Sequence, residues 1–379
     1  MNLPDQPSTL SEYERLALDG TINLSDGHAR QPLSERQRRI IARSSELFDA
    51  SLTQTQKQIE AAFLTHFFLC ARQRVRSDRD FIFLTFSSSS AIKIAAQYCR
   101  LRGLRVCLIE PCFDNIVHLL RTEGVALTPV PEQRLNEIHL WASELTPDVA
   151  VWIVQPNNPT GFCMEEQAFR RLILTVAQRQ ATLIIDLSFR FYADMLRQWD
   201  QYQSLRESNA AFLCFEDTGK TWSLADIKVG ITVCSGQIAP LIYRLHDELL
   251  LNVSAFDLLL LDEFVKDTLR HGLNETICRT VDINRQLVHA LVQEGLVLHA
   301  TQSCQHVPME LLCLPGGRVS AEFWASLRRR GVHVLPASSY FWSRPELGRS
   351  LFRIPLARPE RDIRVASNIM RETLREVTP

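Results

Sequence analysis

Lys220 sits in a short polar turn, EDTGK, directly after the apolar run AFLCF, and Lys228 follows a little further on. A lysine in a turn is ordinarily a solvated cation. An amine desolvated beside a second cation, however, has a lowered pKa and becomes a nucleophile suited to Schiff-base chemistry. Asp186 closes another apolar run, ATLIID. A carboxylate there is costly unless a charged or hydrogen-bonding group meets it, and a protonated pyridine nitrogen is such a group. QPNNPTG (residues 155–161) puts Asn158 in a turn after VAVWIV, and Arg353 lies in LFRIPLA near the end of the chain. An arginine can hold a carboxylate through two parallel hydrogen bonds. Ser88 and Ser89 belong to FSSSS, ahead of a helical stretch whose N-terminus favours phosphate.

These residues need strands to carry them. Short apolar runs at Phe81–Phe86, Arg105–Glu110, Val149–Val154, Thr182–Asp186, Ala211–Phe215 and Val229–Cys234 alternate with helical patterns at Gln56–Val75, Ser87–Arg100, from Asn115, and at Glu165–Gln178. That alternation predicts an α/β architecture in three layers, α/β/α, with parallel strands buried on both faces. Ligands bind such sheets at the carboxyl ends of the strands. After Ser254 the pattern changes to two long helices and then a compact α+β tail with strands near Met309–Leu314, Val332–Leu335 and Leu351–Leu356. The expected division is an N-terminal segment at 1–44, a large domain at 45–270 and a small one at 271–379.

With 42 basic against 43 acidic residues among 379, and 46% apolar residues, the composition suits a globular chain. It gives no footing for a nucleic-acid or anionic-membrane partner. No apolar run is long enough to span a bilayer, and the first residues lack the core of a signal peptide, so a cytoplasmic location is expected. The ten cysteines form no CxxC pair and read as reduced, buried thiols, and the ten histidines show no metal-ligand spacing.

In order and position, Asn158, Asp186, Lys220 and Arg353 resemble the fold-type-I pyridoxal phosphate enzymes, the aspartate-aminotransferase superfamily. By that resemblance Lys220 carries pyridoxal 5'-phosphate as a Schiff base, Asp186 meets the pyridine N–H and Asn158 the ring oxygen. Phe113 stacks on the ring, Ser88, Ser89 and Lys228 hold the phosphate, and Arg353 takes the substrate carboxylate. Three positions depart from the common pattern. Phe189 stands where a tyrosine is usual, leaving Ser188 as the nearby hydroxyl. Asp217 replaces a phosphate-binding serine and is expected to point away from the phosphate. Lys228 replaces an arginine.

DGHARQ, FSSSS, PCFDNI, QPNNPTG, DLSFR and EDTGK, in that order, resemble a narrower group: the oxygen-using L-arginine oxidases and hydroxylases of guanidino amino-acid pathways. The resemblance implies that an N-terminal helix covers the site. Ser11 is expected to cap it, with Glu14 completing a capping box. Glu14 and Asp217, helped by Ser11, would grip the guanidinium, with Asp26 in the substrate-binding set and His28 as acid/base for water. Dioxygen would be co-substrate, the partner a second copy of the chain, and the alternative an aminotransferase for a basic amino acid.

Overall fold

Runs such as VAVWIV and TLIID, apolar on both faces, can only be satisfied by burial on both faces, and the fold provides it. The computed structural model describes residues 7–75, 80–224, 226–300 and 307–376. The N-terminal segment holds α1 (Leu10–Ala17) and β1 (Ile22–Asn23), then α2 (Glu35–Ala42) and α3 (Ser44–Thr53). Next come α4 (Gln56–Ala71), β2 (Phe81–Thr85), α5 (Ser88–Leu101), β3 (Arg105–Glu110), α6 (Asp114–Thr122) and β4 (Leu127–Pro131). The alternation continues with β5 (Val149–Val154), α7 (Glu166–Gln178), β6 (Thr182–Asp186), α8 (Gln201–Ser208), β7 (Ala211–Asp217) and β8 (Gly230–Cys234). Helices α9 (Ala239–Asp247), α10 (Ala255–Leu273) and α11 (Arg279–Gln293) follow. The chain ends with β9 (Leu298–His299), β10 (Met309–Cys313), α12 (Ser320–Arg328), β11 (Val332–His333), β12 (Leu335–Pro336), β13 (Leu351–Pro355) and α13 (Glu360–Glu376).

The large sheet has the order β2-β8-β7-β6-β5-β3-β4. Strands β3 to β7 are parallel, whereas β8 runs antiparallel to both β7 and β2, against the expectation of a parallel strand. Only the turn 218–229 joins β7 to β8; without a crossover helix the chain must return antiparallel. Strand β4, LTPVP, carries two prolines and sits at the sheet edge, where missing N–H donors do no harm. Connections diverge on either side of β3 and β5, so the loops after these two strands open the crevice where a ligand enters.

A second, antiparallel sheet has the order β12-β13-β10-β9. The N-terminal segment is tied to this part of the chain: β1 pairs in parallel with β11, Ile22 opposite Val332. Ile22, Leu24 and Ala29 join Val332, Phe352 and Ile354 in one apolar cluster. The expected cap of α1 is corrected. Thr9, not Ser11, accepts from the Glu12 N–H, and Glu12 completes the capping box, while Ser11 is exposed in the first turn. The upstream Thr-x-x-Glu wins because it lets Leu10 enter the helix fully buried. Glu14 is thereby released from capping.

Candidate active site

Strand ends, one helix N-terminus and the N-terminal segment converge on a cleft of about 550 Å³. Its walls include Glu14, Gly27, Ser88, Phe113, Asn158, Asp186, Ser188, Lys220 and Arg353, as well as Ser89 and Phe189. The crevice loops are held together from below. Asn157 Nδ2 donates to the Pro111 carbonyl at 2.8 Å and to Glu132 Oε2 at 2.8 Å, and Thr160 Oγ1 donates to the same oxygen at 2.6 Å. Burial pushes the Glu132 carboxyl up to about 6, with Thr160 and Asn157 pulling the other way. Glu132 lies just after β4 and was not legible as a site-positioning residue.

Asp186 ends β6 with one oxygen, Oδ1, taken by the Ser188 N–H at 2.9 Å and the Ser188 hydroxyl at 2.5 Å. Among the described residues nothing hydrogen-bonds Oδ2. Burial pushes this carboxyl up, the Ser188 donors opposing. A buried carboxylate with a free oxygen in a cleft calls for a cationic donor, and the pyridine N–H fits. Lys220 Nζ has no hydrogen bond or ion pair among the described residues, and a Cβ on Gly27 would lie only 3.9 Å from it. The residues present therefore fit pyridoxal phosphate: Lys220 as its covalent anchor, Asp186 for its nitrogen, Asn158 and Phe113 along its ring. Ser88 and Ser89, at the N-terminus of α5, line the same cleft, whereas Lys228 is not among its walls and approaches His28 Nε2 at 3.2 Å.

Asp217 is placed differently from expectation. Its Oδ2 accepts from the Ser88 hydroxyl at 2.7 Å and its Oδ1 from the Gly219 N–H at 2.8 Å. It is therefore turned toward the start of α5, not away from it, and both its oxygens are engaged within this chain. Burial opposes its ionisation, yet Lys220, His28 and these donors hold its pKa below the usual range. Asp217 consequently balances the lysines instead of facing Glu14. Asp26, expected among the substrate contacts, is also committed elsewhere. It accepts from the His28 N–H at 2.7 Å and from Arg30 Nε at 2.9 Å, with Arg358 Nη2 at 3.4 Å. Despite burial, His28, Arg358 and Arg30 hold its pKa far below the carboxylate range.

The loop of DGHARQ is fastened over the cleft by backbone contacts. Arg358 donates to the carbonyls of Asn23 (2.8 Å), His28 (2.6 Å) and Asp26 (2.5 Å). The Ala29 N–H donates to the Gly219 carbonyl at 3.0 Å, beside Lys220. His28 is left between Asp26 Oδ1, 3.3 Å from Nδ1, and Lys228 Nζ, 3.2 Å from Nε2. Lys220 first, and then burial, keep its imidazole below the ordinary histidine range. Neutral His28 thus donates to Asp26 and accepts from Lys228.

Arg353 is fully buried. Its Nη1 donates to the Tyr340 hydroxyl at 2.7 Å and Asn158 Oδ1 at 3.2 Å, and its Nη2 to the Ser25 carbonyl, with Glu14 Oε1 at 3.5 Å. Its Nε is shut from solvent with no hydrogen-bond partner. Tyr340, which also packs edge-on to Phe113, positions Asn158 and Arg353, and no sequence pattern marks it. Burial pushes the Glu14 carboxyl up against the pull of Arg353 and Lys220. Ser11, exposed on α1, does not line the cleft.

Residues 20–368 match the family described as aminotransferase class I and II. A structure of MppP soaked with the product 2-ketoarginine superimposes with a TM-score of 0.87 and 31% identity, covering 93% of this chain and 99% of that one. Histidinol-phosphate aminotransferase of Methylobacillus flagellatus is 23% identical over 282 residues, 72% of this chain and 70% of the relative. Capreomycidine synthase of Streptomyces vinaceus is 24% identical over 180 residues, 46% and 45% of the two chains. With the family matched over nearly the whole length and a lysine, an aspartate and an asparagine assembled to suit one cofactor, the chain belongs to the class I and II aminotransferase family and is a pyridoxal phosphate-dependent enzyme of fold type I.

Proposed function

We propose that the protein oxidises L-arginine with dioxygen and water to 2-oxo-5-guanidinovalerate, ammonia and hydrogen peroxide, with the 4-hydroxy form of the oxo acid as a second product. The observation that carries this is Glu14. Helix α1 delivers a carboxylate into the cleft 3.5 Å from Arg353, and burial outweighs the pull of Arg353 and Lys220 on it, so a substrate guanidinium would stabilise its charged form. The 31% identity to a protein solved with 2-ketoarginine supports the same substrate. Pyridoxal phosphate supplies the electron sink that makes the Cα–H bond acidic. Lys220 Nζ, free of other partners, takes the Cα proton. Arg353, in the wall of the cleft, orients the α-carboxylate. The 20–31 segment excludes bulk water, and neutral His28 acts as base for the attacking water once its Nε2 is released from Lys228.

Guanidinium recognition within this chain rests first on Glu14, which lines the cleft, since Asp217 and Asp26 already hold donors of this chain and Ser11 is exposed. An oxygen-electrode trace with L-arginine, followed by mass spectrometry of products made in heavy-oxygen water, tests the reading. The expected result is oxygen uptake with equal peroxide, at one dioxygen per ammonia for the plain oxo acid and two per ammonia for the 4-hydroxy form. No uptake, with arginine converting the cofactor to its amine form under nitrogen, would overturn it. That outcome would establish the second reading, an aminotransferase for a basic amino acid, which the histidinol-phosphate aminotransferase relative favours.

A further inference from the structure

We infer that the small sheet carries a divalent transition-metal site, built from His289, His299 and Glu310 and separate from the cofactor cleft. Strands β10 and β9 pair antiparallel with Leu312 opposite His299, so Glu310, two residues before Leu312, shares the face of His299. Helix α11 packs over this face and brings His289 down onto it. One ligand atom from each of the three lies within 4.8 Å of the other two. His289 Nε2 is 3.4 Å from Glu310 Oε1, and His299 Nδ1 is 3.6 Å from Oε2. Zinc–nitrogen and zinc–oxygen bonds of about 2.0–2.2 Å at a tetrahedral angle put neighbouring donors roughly 3.3–3.5 Å apart; each histidine stands about that far from one carboxylate oxygen, and the set, within 4.8 Å overall, draws in slightly to close on one ion.

Two further observations point to a ligand. Among the described residues His289 Nε2 is closed off from solvent and has no hydrogen-bond partner, although Glu310 is near. Glu310 itself is 1% exposed, whereas the two imidazoles are partly open on the outer side, which leaves a fourth position for water. Arg285, one helical turn before His289, pairs with Glu310 Oε1 and donates to the Val307 carbonyl at 2.7 Å. It fixes the carboxylate through the same oxygen that faces His289, as outer hydrogen bonds commonly do for metal-binding carboxylates. Two histidines and a carboxylate suit Zn²⁺ or a neighbouring first-row ion better than calcium or magnesium. The donors come from a helix and two strands, so no HxxxH spacing betrays them in the sequence.

The test uses the cofactor-loaded enzyme, stripped with chelator and titrated calorimetrically with Zn²⁺, beside His299→Ala and His289→Ala. A single saturable equivalent is expected for the unaltered chain, with affinity falling at least about tenfold in each variant. Co²⁺ should give the intense ligand-field bands of a tetrahedral site, lost in both variants while the cofactor absorbance stays. If His289→Ala fails to fold, His299→Ala, on an exposed two-residue strand, decides alone. No zinc uptake, or uptake equal in the unaltered chain and the variants, would overturn the inference and leave the histidines as neighbours of an Arg285–Glu310 pair.

Discussion

At the scale of single residues, the outcome turns on where charges are committed. Lys220 is the one group whose removal must abolish covalent attachment. Lys220→Ala should no longer be fixed to its cofactor by borohydride, and should lose activity with arginine; cofactor still fixed at the same site would disprove its role. Glu14→Gln removes one charge-assisted contact to a guanidinium, worth about 1.5–3 kcal/mol, so the KM for arginine should rise more than about tenfold. Citrulline, if turned over, should be little affected, whereas an equal loss for both would reduce Glu14 to a structural partner of Arg353. His28 gives a pH prediction. Lys220 and burial lower its pKa, so between that value and the ordinary one near 6.5 the unfolded chain binds more protons. Its contribution to stability is complete above about 6.5 and is lost as the pH falls toward the lowered value. Activity should fall over the same range, because a protonated imidazole faces two lysines. A pH–rate profile of His28→Ala should lack that acidic limb and make less hydroxylated product. An unchanged profile and product ratio would make His28 a bystander. Asp186 was legible because it ends an apolar run, and Lys220, Asn158 and Arg353 because they follow or interrupt such runs in an order that resembles a known family. The roles of Asp217 and Asp26 were not, because a sequence shows a carboxylate but not which donors claim it.

At the scale of elements, the N-terminal segment is the part whose order the chemistry depends on. Helix α1 is only eight residues long, marginal by itself, and stands on its Thr9–Glu12 capping box and on the Leu10 N–H donating to Asp114 Oδ2 at 2.8 Å. Thr9→Ala should cost about 1 kcal/mol locally, fraying α1 and loosening Glu14. The KM for arginine should rise several-fold with the melting temperature nearly constant, and hydrogen exchange should speed up in residues 10–17. Ser11→Ala should change neither; if it matches Thr9→Ala, the cap has been placed two residues off. Two overlapping Ser/Thr-x-x-Glu boxes lie in this stretch, and sequence alone cannot rank them, because the choice is made by burial of Leu10. The same limit applies to β8 and β4. The apolar run 229–234 marks a strand but not its direction, which the short turn before it dictates. The two prolines of LTPVP mask an edge strand altogether. Strands buried on both faces, by contrast, show in the sequence as unbroken apolar runs, and β3, β5 and β6 fall where those runs do.

At the scale of the whole molecule, a single chain leaves the phosphate end of its cleft thinly covered. Ser88 has given its hydroxyl to Asp217, Lys228 leans toward His28, and Phe86, immediately before the start of α5, is 57% exposed. A large aromatic side chain left in water beside the site is the kind of surface that a second chain covers. A homodimer is therefore the expected working form. Because a two-fold interface buries each residue twice, Phe86→Ala would forfeit about 1.5–3 kcal/mol per copy, enough to weaken dimerisation roughly a hundredfold or more. Light scattering over a dilution series should find the unaltered chain dimeric at assay concentration, with Phe86→Ala dissociating at far higher concentration. Its specific activity should fall on dilution in step with the dimer fraction and recover on concentration, which separates loss of the partner from loss of fold. A fully active monomer, or a Phe86→Ala variant that dissociates no earlier than the unaltered chain, would place the complete active site within one copy.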